Sequence, residues 1–253
     1  MRRLAISVAV LSTTVASCSS SPSNESQFLF AQSTDITQDV MSEFCAPNSP
    51  ISWDDQSKQA VQSLYASYRV AIPEFMQVIV EPGPLYLVKC KSAGFNGAFF
   101  PINGKRYLFL ADHVFVAKDD AAIRDYLGFD VLSFVLLHES AHAWDEANGW
   151  ATSSPQVQTL MGWVTPTQLK TFDMNEVQAT LIEMKAFGVA GNYLQAIKTT
   201  RDYGVAHGYP TSYAMSAPIE MFAEGVTWTY HDKQINTYVS PYLVNLVKDN
   251  VLK

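Results

Sequence analysis

The chain has 253 residues, 48% of them hydrophobic, with 17 Lys and Arg against 24 Asp and Glu and a formal charge of −7. It carries no Lys/Arg-rich run, which argues against a nucleic-acid partner. Length and apolar content allow one good core or two small lobes, and neither an internal repeat nor a second domain boundary is visible.

The first residues read as a leader. Arg2 and Arg3 form a positive start, and Leu4 to Val15 an apolar run, broken by Ser12, Thr13 and Thr14, that is too short to span a bilayer. It ends in Val15-Ala16-Ser17-Cys18, which resembles a bacterial lipobox; that resemblance implies lipidation of Cys18, which then becomes the new N-terminus. Ser19 to Gln27 reads as a polar, Ser-rich tether. The expected plan is a signal peptide over 1–17, lipidated Cys18 and a flexible tether over 18–40, and one catalytic domain over 41–253. Loss of Arg2 and Arg3 takes the formal charge from −7 to −9. Several acyl chains on Cys18 would anchor the protein stably to a membrane. The expected location is the bacterial cell envelope, at the outer membrane or facing the periplasm, or secretion if Cys18 is not lipidated. Cys45 and Cys90 are the two cysteines left, and in an exported chain they suggest one disulfide.

Along the mature chain, Ser52-Trp53-Asp54-Asp55 looks like a capping box opening a helix to about Arg69, with Val61, Leu64, Tyr65 and Tyr68 at helical spacing. Pro73 ends that region. Gln77 to Val80 and Leu85 to Lys89 read as strands around the Pro82-Gly83-Pro84 break. Asn103-Gly104 signals a hairpin between Ala98–Ile102 and Arg106–Leu110, and the second strand is expected to carry past Asp112 and His113 to Val116. Asp130 caps a helix that buries Val131, Leu132, Val135 and Leu136 and stops at Asn148-Gly149. Ala151 to Phe172 reads as loop with one short turn. Asn175–Phe187 and Asn192–Tyr203 read as helices closed by Gly188 and Gly204. A further helix runs from Ser216-Ala217-Pro218 to about Tyr230, and a last one from Ser240 to Asp249.

The chemistry sits in His138-Glu139-Ser140-Ala141-His142. This is HExxH on a helix, so the two imidazoles lie on one face and can hold one zinc ion, with Glu139 placed as a base toward a zinc-bound water. A catalytic zinc keeps three protein ligands and one open position. Glu220 is the preferred third ligand and Glu176, in Asn175-Glu176-Val177-Gln178-Ala179, its competitor. His113, His207 and His231 have no spaced partner and read as structural. The strand around Phe109–Phe115 is a candidate for taking an extended substrate by β-augmentation.

The segment Tyr213-Ala214-Met215-Ser216-Ala217-Pro218-Ile219-Glu220-Met221-Phe222-Ala223 resembles the zinc peptidases related to the anthrax lethal factor catalytic domain. It is similar also to the Mlc-titration-factor peptidases, which share Tyr-Ala-x-[Ser/Thr]-x-Pro-x-Glu-x-Phe-Ala. Both groups place an aspartate three residues after the second histidine, where Asp145 stands. The likeness covers about 17 motif positions in two blocks. It departs in spacing: Glu220 follows His142 by 78 positions, longer than these families lead one to expect, and a pair of helices inserted near 175–203 would account for it. The resemblance implies an α+β zincin-like fold: a mixed α/β N-terminal part with a small sheet, the HExxH helix, and a mostly helical C-terminal part. It implies a gluzincin metallopeptidase with one Zn2+ on His138, His142 and Glu220, and Tyr213 donating to the oxyanion. Glu224, one turn beyond Glu220, is a candidate to orient His138. Asp145 is a candidate for a similar part or for capping a nearby loop.

The expectation is therefore a zinc-dependent hydrolase acting on a peptide or protein substrate, monomeric, with endo- and aminopeptidase action both open. The rival is a non-catalytic envelope lipoprotein that uses the same fold to bind a partner or a metal. Retention of Glu139 and Tyr213 argues against that rival, because a pure binding module needs neither.

Overall fold

A four-stranded sheet faces the helix that carries HExxH. The computed structural model describes residues 27–32, 35–37, 41, 44–46, 49, 51, 53–91, 96–163, 173–232 and 234–252. The leader, Cys18 and Ser52 lie outside them. The strands are β1 (Phe28–Phe30), β2 (Leu85–Cys90), β3 (Gly97–Ile102) and β4 (Lys105–Ala111), in the order β1-β2-β4-β3. β1 and β4 run parallel to β2, and β3 is antiparallel to β4, with Phe99 opposite Leu108. Asn103 and Gly104 both have positive φ, 50° and 75°, as the expected two-residue hairpin turn requires. β1 falls inside the stretch expected to be tether, so the fold takes in residues upstream of 41.

Alternation along the strands separates two apolar clusters. Leu85, Leu87, Leu108 and Leu110 face the helices and join the main core. Val88, Cys90, Tyr107 and Phe109 face the other way, where they are covered by Ala31, Ile36, Met41, Phe44 and Cys45. The expected Cys45–Cys90 disulfide is present and ties this cover to β2, with a Cα–Cα distance of 5.8 Å.

The helices are α1 (Asp55–Ala71), α2 (Pro73–Val80), α3 (Asp112–Ala117), α4 (Ala121–Leu127), α5 (Val131–Ala147), α6 (Pro155–Met161), α7 (Met174–Val189), α8 (Tyr193–Ala206), α9 (Pro218–His231) and α10 (Pro241–Asn250), with single 3-10 turns at Ala151–Ser153 and Ile235–Thr237. In α1 the cap is Asp54, whose carboxylate accepts from the Ser57 N–H at 2.7 Å. Several expectations need correcting. Gln77–Val80 is not a strand: Pro73 opens α2 at its first turn, and Phe75, Met76, Ile79 and Val80 form its buried helical face. The β-branched run at its end reads as strand locally, and packing against α5 overrides that. β4 does not carry past Asp112; the chain turns into α3 there. α4, capped by Asp120 and closed by Gly128 at φ 81°, was not expected. Half of the expected loop after Ala151 is the 3-10 turn and α6, and residues 164–172 lie outside the described residues. α7 and α8 run through Gly188 and Gly204; the left-handed glycines beyond their ends are Gly191 and Gly208.

The molecule is thus of the α+β kind, with a small sheet before α5 and helices after it. α5 is the centre. It packs on β3, β4, α2, α3 and α9, and its Trp144 lies against Phe222 of α9 with ring centroids 5.4 Å apart.

Candidate metal centre

α5 forms where expected because Asp130 accepts from the Ser133 N–H at 2.7 Å and the helix stops at Asn148. Its i, i+4 spacing sets the His138 and His142 rings 4.9 Å apart, centroid to centroid, with their Nε2 atoms 3.2 Å from each other. α9 begins with Pro218 and holds Glu220 in its first turn, a position the helix dipole favours for a carboxylate. Glu220 Oε2 lies 3.1 Å from His138 Nε2 and 3.4 Å from His142 Nε2. Among the described residues this is the one group of three or more His, Cys, Asp or Glu side chains able to share a metal ion.

These three atoms fit a divalent cation such as zinc. Bonds of about 2.0–2.1 Å in tetrahedral directions put neighbouring ligand atoms about 3.3 Å apart, and the observed edges are 3.1, 3.2 and 3.4 Å. Two imidazole Nε2 atoms and a carboxylate oxygen converge on one point, which proton sharing alone satisfies poorly. The Nδ1 atoms of His138 and His142 are buried without a hydrogen-bond partner. Glu224 Oε1 stands 3.8 Å from His138 Nδ1, within ion-pair reach but too long for a hydrogen bond.

The site is buried and rich in carboxylates. His138, Glu139 and His142 are 5%, 5% and 6% exposed. Burial alone would lower the His138 pKa, but the Glu220 hydrogen bond and the carboxylates of Glu139, Glu220 and Glu224 override it and hold it up at about 9. Burial works against ionisation of Glu220, yet the hydrogen bonds of both imidazoles hold its carboxyl well below the usual range. Burial pushes Glu139 up, offset in part by the two histidines and by the Phe99 N–H, which donates to its carboxylate. Glu224 is also pushed up by burial, while the Trp228 indole N–H donates to it at 2.7 Å. Three carboxylates around two imidazoles make a site in which a divalent cation relieves their mutual repulsion.

Tyr213 lies in the turn before α9, its ring 6.0 Å from that of His138. Burial and the carboxylates of Glu220, Glu139 and Glu224 push its hydroxyl far above the usual tyrosine range, so it is a proton donor at any ordinary pH. The turn is held by the α7–α8 pair: the Ser212 N–H donates to the Thr200 carbonyl at 2.8 Å, and Thr180 Oγ1 meets Ser212 Oγ at 2.7 Å.

Other candidates go elsewhere. Glu176 accepts from the Tyr203 hydroxyl at 3.0 Å and is not in the cluster. Both oxygens of buried Asp145 are taken by Thr152, at 2.9 Å to its N–H and 2.6 Å to its hydroxyl, so of its two candidate parts it takes the capping of the nearby 3-10 turn. His113 pairs with Asn96 and stacks on Tyr193, the His207 ring nitrogen meets the Tyr203 carbonyl, and His231 meets Ser133. The Phe109 strand is β4, flanked by β2 and β3, so neither of its edges is free for a substrate; the strand against the site is β3. Two contacts the sequence did not disclose are Phe99 N–H to Glu139 and the Trp228–Glu224 bond. The second follows an i, i+4 spacing that was there to be read.

No family model matches the chain, and no curated protein matches it. One solved structure aligns: a protein from Bacteroides caccae ATCC 43185 provisionally named a zinc-binding metallo-peptidase, at 13% identity and a TM-score of 0.43, over 88% of this chain and 79% of that one.

Proposed function

We propose that this chain is a zinc-dependent peptidase of the zincin type, exported and held at the cell envelope through lipidated Cys18. The observation that carries the reading is the convergence of His138 Nε2, His142 Nε2 and Glu220 Oε2 within 3.1–3.4 Å, with Glu139 buried between the two histidines in sequence and facing β3. A zinc ion held there supplies Lewis acidity toward a water and toward a scissile carbonyl. Glu139 takes the proton of the attacking water on its carboxylate and hands it to the leaving amine. The Tyr213 hydroxyl donates to the oxygen that becomes negative, a role worth about 3 kcal/mol where such a donor is deleted. Glu224, anchored by Trp228, faces Nδ1 of His138 and favours the tautomer that leaves Nε2 free to ligate.

Export is supported by the leader pattern and by the disulfide, which suits an oxidising compartment. No helix among the described residues is long and apolar enough to cross a membrane. The anchor rests on the lipobox-like Cys18, outside the described residues.

The test is zinc per chain by elemental mass spectrometry, with peptide cleavage alongside, on the wild type, Glu220→Ala, Glu176→Ala and Glu139→Gln. The reading expects about one zinc in the wild type, lost in Glu220→Ala and kept in the other two, and cleavage lost in Glu139→Gln. A wild type that takes up no zinc, or a Glu139→Gln variant that cleaves at the wild-type rate, overturns it.

A further inference from the structure

Gly97, the first residue of β3, stands where a side chain cannot. A Cβ built on it would lie 2.6 Å from Val135 Cγ1, 2.8 Å from Glu139 Cγ and 2.8 Å from Glu139 Oε1. Gly97 is not among the glycines with positive φ, so its backbone conformation does not call for glycine; the space does. Two residues on, the Phe99 N–H donates to the Glu139 carboxylate. β3 therefore meets Glu139 twice, by close packing at 97 and by a hydrogen bond at 99. A glutamate side chain on its own has three rotatable bonds, and fixing it costs rotamer freedom. Here the strand limits those rotamers before any substrate arrives.

We propose that Gly97 is a positioning residue for Glu139: its missing side chain, together with the Phe99 amide, sets where the Glu139 carboxylate lies. The proposal rests on the peptidase reading for its catalytic consequence. Of the groups that crowd position 97, Val135 Cγ1 is on a short, core-packed side chain, whereas Glu139 Cγ and Oε1 belong to a longer one that yields by rotating about its own bonds. Alanine at 97 therefore displaces the carboxylate, and the Phe99 amide loses its acceptor.

The experiment compares the wild type, Gly97→Ala and Glu139→Ala by amide hydrogen exchange in NMR, with zinc content and peptide kinetics on the wild type and Gly97→Ala. Protection of the Phe99 amide is expected to fall in Gly97→Ala to the level seen in Glu139→Ala, while the amides of Leu108 and Leu110 in β4 stay protected. Zinc content stays at the wild-type level, since no ligand is touched. kcat falls by about 100-fold with KM unchanged, the size of effect that a displacement of about 1 Å brings. If Gly97→Ala does not fold, Gly97→Ala/Val135→Ala removes the closest contact and is compared with Val135→Ala alone. Unchanged Phe99 protection, or loss of protection throughout β3 and β4 together, overturns the proposal. A wild type that cleaves no peptide overturns the peptidase reading instead, and the Phe99 amide still decides whether Gly97 places Glu139.

Discussion

Replacing both cysteines of the Cys45–Cys90 bridge by alanine asks what holds the cover on the far face of the sheet. The bridge spans 45 positions, and loop closure over that length costs the unfolded chain about 4 kcal/mol of entropy at 25 °C. Set against a typical domain stability of about 5–15 kcal/mol, that is a large share. The cover also has its own packing: Phe44 lies 4.5 Å from Phe100 and 4.6 Å from Phe109 between ring centroids, and the Tyr107 hydroxyl donates to the Asp35 carbonyl at 3.0 Å. These contacts survive the substitution, so the folded state is expected to persist with the loss falling on the unfolded side. Urea unfolding followed by circular dichroism measures it, with a lower midpoint and a larger m-value because the uncrosslinked chain exposes more surface. The proposed zinc ligands His138, His142 and Glu220 lie on α5 and α9, on the helical side of the sheet, so zinc content should not change. A loss under about 1 kcal/mol would refute the loop-entropy argument, and a parallel loss of zinc would refute the independence of the two faces.

Gly204→Ala should cost about 3 kcal/mol or more by overpacking, because the new Cβ would meet Thr211 backbone atoms at 2.2–2.6 Å; a melting temperature within a degree or so of wild type would contradict this. Arg106→Lys should lose about 3 kcal/mol in chemical denaturation. It removes a buried fork that reaches Glu146 at 2.8 Å and the carbonyls of Ile79 and Ala143 at 2.6 and 2.9 Å. His231 is held down at about 4 by burial, partly offset by Ser133. Its unfolded pKa of about 6.5 is higher, so the unfolded state binds the proton first: stability is full above that pH and falls as pH drops toward 4, by at most about 3 kcal/mol. His231→Gln should flatten that part of the stability–pH curve, and an unchanged slope would assign the acid loss to other groups.

The sequence by itself determines whatever is set by neighbours along the chain. The Asp130 cap and Asn148-Gly149 stop bound α5 because capping is a matter of one turn, and Asn103-Gly104 makes its hairpin because two positive φ values suffice. The HExxH pair shares a face by helical period alone. Tertiary structure decided the rest. Phe75, Met76, Ile79 and Val80 became a helix face because α5 lies beside them, although their residue types suit a strand equally. Both Glu176 and Glu220 are first-turn glutamates, and only the docking of α9 against α5 brings one of them to the two imidazoles. The contact between Gly97 and Glu139 joins residues from a strand and a helix far apart in sequence, so no local pattern announces it. Period and capping act over a few residues, whereas the place of a carboxylate to within an ångström depends on how whole elements pack.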